Sequence, residues 1–185
     1  MRSPTRRSVL RYGLAGCLLG FGWRPSVAAA SSGVTDSEIV LGMSAAFSGP
    51  SRGLGIELFR GASAYFEHVN RDGGVRGRRI VLRTYDDGYQ PDPSVQNTMT
   101  LMLEDEVFAL FGYVGTPTVT RVLPMLKKFQ ERRVYLFFPF TGAQPQREPP
   151  YGNFAFNLRA SYRQETAGLV DNFMRIKRRL SLIHI

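Results

Sequence analysis

Residues 107–118 read VFALFGYVGTPT, and the fold can be worked out from this segment. The apolar run at 107–111 is short and continuous, which is typical of a strand buried on both faces of a sheet. Glycines follow the run at positions 112 and 115. Thr116 followed by Pro117 then predicts a helix with Thr116 as N-cap and Pro117 in the first position. A buried strand that leads through a glycine loop into a helix is the building unit of a parallel α/β sheet.

The same unit recurs on both sides of this segment. Strands are predicted at 39–43, 79–85, 107–111, 134–138 and 153–157. Four helices are predicted between and after these strands. The first ends near Asn70, before a glycine pair at 73–74, and the second begins after Asp92 as its N-cap. The third runs from Thr116 to about Glu131, and the fourth begins at the capping box SYRQ, 161–164. This alternation predicts an α/β fold with a doubly wound, mostly parallel sheet.

The net charge of +9 does not indicate a nucleic-acid or membrane-surface partner. Five of the 24 basic residues precede position 31 and four lie at 175–179, whereas 15 basic and 15 acidic residues share the body between them. Because the body is neutral, we expect no nucleic-acid partner.

The chain is poor in residues that carry covalent or metal chemistry. Its single cysteine is Cys17 and its two histidines are His68 and His184. We therefore expect no catalytic residue, no metal site and no cofactor.

The first 30 residues have the pattern of an export signal. TRRSVLR at 5–11 resembles a twin-arginine signal, and VAAA at 27–30 offers small residues for cleavage. The apolar stretch between them is shorter than the about 20 residues that span a bilayer, so no membrane span is predicted. The alternatives are lipid attachment at Cys17, within LAGC at 14–17, and an ordinary buried N-terminal helix. We predict a twin-arginine signal peptide at 1–30 and a periplasmic protein.

Three loops are expected to form a ligand site. The loops at 47–50, 113–118 and 139–143 each lead from a predicted strand toward a helix, so a parallel sheet places them at one edge. They contain hydroxyl groups, glycines and aromatic rings but no lysine, histidine or carboxylate. This composition suits a carboxylate held by hydroxyl and backbone N–H groups, and it does not suit proton transfer. Each loop also has a purely structural interpretation, since Thr116 is a good N-cap in any protein.

Adjacent carboxylates at Asp86 and Asp87 follow the second predicted strand. Neighbouring residues at a strand end point in different directions, so we do not expect a shared-proton or metal role for this pair.

The order of these motifs resembles a known family. IVLG at 39–42, FSGP at 47–50, YDD at 85–87, and the GT turn at 115–116 are similar to the opening of the branched-chain-amino-acid-type solute-binding proteins of ABC importers. The similarity extends through FTGA at 140–143 to about residue 179. It implies the type I periplasmic-binding-protein fold, in which two lobes close on a small ligand that is delivered to a permease in the inner membrane.

The resemblance also implies which residues bind the ligand. Amino-acid-binding members hold the α-carboxylate with a Ser or Thr that matches Thr116, and with residues that match Phe140, Thr141 and Gly142. With the three loops, the candidate ligand-binding set is Ser48, Tyr113, Gly115, Thr116, Phe140, Thr141 and Gly142. Leu54 and Gly142 depart from the family pattern for leucine, so an amide, an aromatic acid or another small carboxylate remains an alternative.

The resemblance implies a considerably longer protein. We predict a first lobe at 31–158 and the start of a truncated second lobe at 159–179. The last six residues, LSLIHI at 180–185, are the translation of CTG TCT CTT ATA CAC ATC, which resembles a transposon end used to prepare sequencing libraries. We interpret them as a sequencing artefact, the alternative being a natural C-terminal strand.

Two other functions remain open from the sequence. A sensor or receptor domain of the same fold would carry the same motifs. An exported α/β hydrolase would need a nucleophile elbow or a histidine-centred site, and neither pattern is visible.

Overall fold

The computed structural model describes residues 32–183, and for 178–183 it describes the backbone alone. The predictions for the signal peptide at 1–30 and for lipid attachment at Cys17 lie outside the described residues, as do the last two residues of the chain.

Five parallel strands form one sheet. They are β1 (Glu38–Ala45), β2 (Arg79–Asp86), β3 (Ala109–Phe111), β4 (Leu136–Phe137) and β5 (Ala155–Phe156). Their order is β2-β1-β3-β4-β5, and every pair of neighbours is parallel. This is a common order of doubly wound sheets, with the topological switch point between β1 and β3. The predicted fold class is confirmed.

The last three strands are shorter than predicted. Arg133 precedes β4 and Phe138 follows it, and both have a φ of 54°. Glu106, with a φ of 47°, stands before β3 in the same way. Residues in the left-handed region cannot continue an extended strand, so these positions limit how far β3 and β4 can extend.

The helices are α1 (Arg52–Arg71), α2 (Pro91–Leu103), α3 (Thr116–Lys128) and α4 (Tyr162–Ile183), with short 3-10 turns at Gln130–Arg132 and Pro145–Arg147. The predicted stop of α1 is confirmed, because Gly73 and Gly74 have φ values of 96° and 69°. A Cβ on Gly74 would lie 2.0 Å from the carbonyl oxygen of Arg78, so only glycine fits there. Because the backbone of α4 is helical through Ile183, the alternative of a C-terminal strand is wrong.

Two helix starts differ from the prediction. The N-cap of α2 is Gln90 rather than Asp92, and Pro91 takes the first position. A residue before proline is pushed to extended geometry, which Gln90 adopts at φ −106° and ψ 137°, so the earlier proline starts the helix. The N-cap of α3 is Gly115 rather than Thr116, and α3 ends at Lys128 rather than near Glu131.

Helices cover the sheet on both faces. On β1, Gly42 contacts Leu101 of α2, whereas its neighbour Met43 packs with Leu58 of α1, as the two-residue period of a strand requires. The larger core lies between the sheet and α2 and α3, and its buried members are Leu101, Met102, Val107, Leu110, Tyr113, Val119, Val122, Leu123, Leu126, Val134, Leu136 and Ala155. This core fixes α3, and therefore the loop before it, against the sheet.

Apolar side chains are exposed on the β4–β5 side of the sheet and along α4. The rings of Phe137 and Phe156 stack with centroids 4.8 Å apart, and Phe156 is 49% exposed. Leu169 and Phe173 on α4 are 71% and 61% exposed. Within residues 32–183, no helix is both long enough and apolar enough to cross a membrane.

Candidate functional site

The candidate site lies at the carboxyl ends of β3 and β4, next to the switch point. The loops that follow these strands are joined backbone to backbone. The N–H of Phe140 donates to the carbonyl of Tyr113 at 2.7 Å, and the N–H of Gly115 donates to the carbonyl of Phe140 at 3.4 Å. Two of the three predicted loops therefore form one surface.

Three hydroxyl groups meet on this surface. The Oγ1 of Thr116 lies 2.7 Å from the Oγ1 of Thr141 and 3.2 Å from the phenol oxygen of Tyr162. We call Thr116, Thr141 and Tyr162 the hydroxyl cluster. Its first two members were predicted from the sequence, and the third comes from the first residue of α4.

Thr141 is held firmly in place. It is fully buried, and its Oγ1 accepts a hydrogen bond from the N–H of Ala143 at 3.1 Å. Its carbonyl accepts a hydrogen bond from Nε2 of the buried Gln146 at 3.2 Å. The loop therefore presents the Thr141 hydroxyl in one orientation.

The start of α3 lies beside the cluster. Among the described residues no side chain caps this helix, because its N-cap is Gly115, and the Thr116 hydroxyl is turned toward Thr141. Free N–H groups and the positive end of the helix dipole favour an anion at such a position. Uncapped N–H groups and neighbouring hydroxyl donors can together bind a carboxylate.

Gly115 is required by its neighbour Tyr89. With a φ of 107°, Gly115 has a conformation that favours glycine, and a Cβ on it would lie 2.5 Å from the Tyr89 ring. Tyr89 is itself left-handed, with a φ of 67°, and its N–H donates to Oδ1 of Asp87 at 2.9 Å. The loop after β2 therefore supports the loop that carries Thr116.

Asp86 and Asp87 have separate structural roles. Oδ1 of Asp86 accepts hydrogen bonds from the N–H groups of Phe47 and Gly88, both at 2.9 Å, and of Ser48 at 3.3 Å. Burial opposes ionisation of Asp86, but these bonds and one from the Ser48 hydroxyl hold its pKa below the ordinary value. Oδ2 of Asp87 accepts from the Ser44 hydroxyl at 2.7 Å, and burial raises the pKa of Asp87. The expectation that the two carboxylates do not share a proton agrees with this geometry.

Two predicted site residues lie elsewhere. Ser48 contacts Asp86 and the loop after β2 rather than the hydroxyl cluster. Tyr113 is fully buried, its hydroxyl is 2.9 Å from the Oγ1 of Thr98, and burial raises its pKa far above the ordinary value. Tyr113 packs in the α2–α3 core because Gly112, with a φ of 64°, breaks the alternation of the strand before it, so its predicted role as a ligand contact is corrected to that of a core residue.

Phe140 and Gly142 lie at the edge of the cluster. The guanidinium of Arg159 is 5.3 Å from the ring centroids of both Phe140 and Tyr162. Nε of Arg159 also donates to Oε1 of Glu165 at 2.8 Å, and this hydrogen bond raises the pKa of Arg159. The carbonyl of Gly142 accepts the N–H of Tyr162 at 2.8 Å.

Sequence reasoning missed Tyr162, Tyr89 and Arg147. Arg147 donates from Nη2 to the carbonyl of Arg159 at 2.7 Å and so ties the start of α4 to the loop after β4. Tyr162 follows the capping serine directly, and that proximity to a helix start was the only available signal. In residues 32–183, no group of three histidine, cysteine, aspartate or glutamate residues is placed to hold a metal ion.

Comparison with known proteins gives the family. Residues 38–183 match the family described as Periplasmic binding protein. The chain is 30% identical over 77 residues to the "Amino acid binding protein" of Pseudomonas aeruginosa, covering 42% of this chain and 21% of that protein. It is 27% identical over 92 residues to "Leu/Ile/Val-binding protein homolog 3" of Brucella melitensis biotype 1, covering 50% of this chain and 25% of that protein.

Solved structures of periplasmic binding proteins are also similar to this chain. A "possible leucine/isoleucine/valine-binding protein" from Rhodopirellula baltica SH 1 has a TM-score of 0.68 and 34% identity, covering 80% of this chain and 38% of that one. An "extracellular ligand-binding receptor" from Verminephrobacter eiseniae ef01-2 has a TM-score of 0.70 and 27% identity, covering 76% and 39%.

The chain belongs to the periplasmic binding protein family, since the match covers most of its length. The predicted resemblance is confirmed, and the family places the protein outside the cytoplasm. The family is described as one of binding proteins and not of enzymes, which leaves the hydrolase alternative without support. The chain spans less than two fifths of the length of these two structures.

Proposed function

We propose that this chain is the first lobe of a solute-binding protein that holds a small carboxylate, such as an amino acid, and delivers it to the permease of an ABC importer in the inner membrane. The observation that carries the proposal is the 2.7 Å pair of Thr116 and Thr141 hydroxyls beside the uncapped start of α3. The names of two relatives, an amino acid binding protein and a Leu/Ile/Val-binding protein homolog, support the ligand class.

The chemistry of the site fits this ligand class. A carboxylate accepts hydrogen bonds from hydroxyl and backbone N–H donors, and bonds to a charged acceptor are about twice as strong as neutral ones. The cluster donors are neutral and α3 adds a partial positive charge. Such a site holds an anion without a formal ion pair and releases it when the lobes open.

The proposed division of the chain follows the prediction. Residues 1–30 direct export to the periplasm, 31–158 form the first lobe, 159–179 begin the second lobe, and 180–185 are an artefact. The last strand, β5, ends at Phe156, and α4 then begins at Tyr162 with exposed apolar residues such as Leu169. These features support a boundary near Arg159.

The Thr116→Ala variant tests the proposed site. It is to be made in the protein extended through its second lobe, with calorimetric titration of leucine, glutamate and benzoate. We expect Thr116→Ala to weaken the best of these ligands by about 1–3 kcal/mol, because a charged acceptor loses its donor.

Thr35→Ala is the matched control, since Thr35 precedes β1 and therefore lies at the opposite edge of the sheet. Asp86→Asn should also cost much less than Thr116→Ala, because asparagine keeps an Oδ1 acceptor for the three N–H groups. If Asp86→Asn weakened binding more than Thr116→Ala, the site would lie at the loop after β2 instead.

A further inference from the structure

Tyr162 is fixed at the hydroxyl cluster by four contacts. Its N–H donates to the carbonyl of Gly142 at 2.8 Å, its hydroxyl lies 3.2 Å from the Oγ1 of Thr116, and its ring lies under Arg159. The fourth contact is with Gly142. A Cβ on Gly142 would lie 2.6 Å from Cδ1 and 2.8 Å from the backbone nitrogen of Tyr162.

Gly142 and Tyr162 therefore form a matched pair. The loop after β4 needs a residue without a Cβ because the Tyr162 ring occupies that space. The third hydroxyl of the cluster is supplied by Tyr162 from the start of α4, and its ring fills the space that a side chain at position 142 would need.

Tyr162 also has the chemistry of a donor to an anion. Hydrogen bonding to Thr116, and next to Thr141, holds the pKa of its phenol below the ordinary value. The residue as a whole is 44% exposed, and its ring is held by Gly142 and Arg159. A carboxylate would replace neutral O–H···O contacts inside the cluster by stronger charge-assisted ones.

We propose that Tyr162 is a ligand contact and specificity-determining residue, whose hydroxyl joins that of Thr116, oriented by the buried Thr141, on the ligand carboxylate and makes the site prefer an acid to its neutral amide. The inference rests on the proposed function and deepens it, because it assigns part of the selectivity to the first residue of α4. A carboxamide group has one carbonyl oxygen to accept from these donors and is itself uncharged, so it gains less from the Tyr162 hydroxyl.

The test compares the Kd for an acid with the Kd for its amide in the Tyr162→Phe variant. The variant is made in the protein extended through its second lobe. The probes are leucine with leucinamide and benzoate with benzamide, titrated by calorimetry. Phenylalanine keeps the ring against Gly142 and under Arg159 and removes only the hydroxyl. We expect the Kd for the acid to rise about ten-fold or more, as for a lost hydrogen bond to a charged group, and the Kd for the amide to rise less than about three-fold.

Tyr65→Phe is the matched control, because Tyr65 lies on α1 with its side chain 64% exposed, and it should leave both constants unchanged. If Thr116→Ala weakens the acid but Tyr162→Phe does not, the role of Tyr162 is overturned and the proposed function stands. An equal loss for acid and amide would show that Tyr162 only shapes the site, which also overturns the inference. If the unmodified protein binds none of leucine, glutamate and benzoate, the proposed function and this inference both fail.

Discussion

Thr116 shows how one side chain changes role when its neighbours are known. From the sequence it is a good N-cap, since a threonine before a proline suits that position. In the structure Gly115 occupies the N-cap, and the Thr116 hydroxyl turns toward Thr141 at 2.7 Å. Because a glycine takes the N-cap, the helix start has no side-chain cap, and its first N–H groups are among the proposed ligand donors.

Asp87 is the buried charge of this region and makes stability depend on pH. Burial raises its pKa in the folded state above the unfolded value of about 3.9. The folded protein then binds more protons than the unfolded chain between the two pKa values. The contribution of Asp87 to stability is therefore full below the unfolded pKa and is lost as the pH rises through the folded pKa.

Asp87→Asn should remove this dependence. The variant keeps an oxygen acceptor for the N–H of Tyr89 and carries no charge to bury. We expect the melting temperature of the variant, relative to that of the unmodified protein, to increase as the pH is raised from about 4 to about 7. Asp86 has the opposite pKa shift, so the measurement is the difference between the two proteins in thermal unfolding at each pH. A difference that shrinks as the pH rises would contradict this account of Asp87.

At the scale of elements, α4 is joined to the sheet mainly through its first turn. The predicted capping box is present: Gln164 N–H donates to the Ser161 hydroxyl at 3.1 Å, and Ser161 N–H donates to Oε1 of Gln164 at 2.8 Å. Arg159 and Glu165 form a second link across the same turn at 2.8 Å. The position of Tyr162 therefore depends on how well this turn is capped.

Ser161→Ala should loosen the start of α4. Loss of a serine N-cap costs about 1 kcal/mol, so the Gln164 amide should exchange its hydrogen roughly five-fold faster. Ser63→Ala, inside α1, is the control and should leave exchange in α4 unchanged. Hydrogen exchange followed residue by residue is the measurement. Unaltered protection of the first turn of α4 would mean that the link to Glu165 alone holds it.

At the scale of the whole molecule, the described residues contain the hydroxyl cluster and, apart from it, a set of exposed apolar side chains. The hydroxyl cluster lies at the carboxyl ends of β3 and β4, whereas Phe138, Phe156 and the α4 residues Leu169 and Phe173 are exposed. Exposed apolar patches and sheet edges favour association between molecules. In a two-lobed binding protein, closure of the second lobe completes the site and excludes water.

Residues 31–185 should therefore bind ligand poorly without a second lobe. We expect low solubility and no thermal shift with leucine, glutamate or benzoate at millimolar concentration, because ligand donors are present on one side only. The comparison is the protein extended through its second lobe, measured by the same thermal shift. A stable monomer of residues 31–185 that binds one of these ligands tightly would refute the two-lobed proposal.

Much of the fold could be predicted because it depends on local patterns. Short-range sequence patterns predict the buried strands, the glycine stop at 73–74 and the helix cap at Ser161. The alternation of strands and helices is then enough to predict a parallel sheet. The edge of the sheet proposed to bind ligand follows from the same alternation, which is why Thr116 and Thr141 could be selected from the sequence.

Contacts between distant segments could not be predicted in this way. That Tyr113 is buried, that Tyr89 packs on Gly115, and that Tyr162 completes the hydroxyl cluster depend on packing between segments far apart in the chain. Thr116 and Tyr162 are 46 positions apart and meet only because the loop after β4 lies between them. A hydroxyl or a ring has no local signature of its partner, so tertiary packing decides whether it binds a ligand, caps a helix or fills the core.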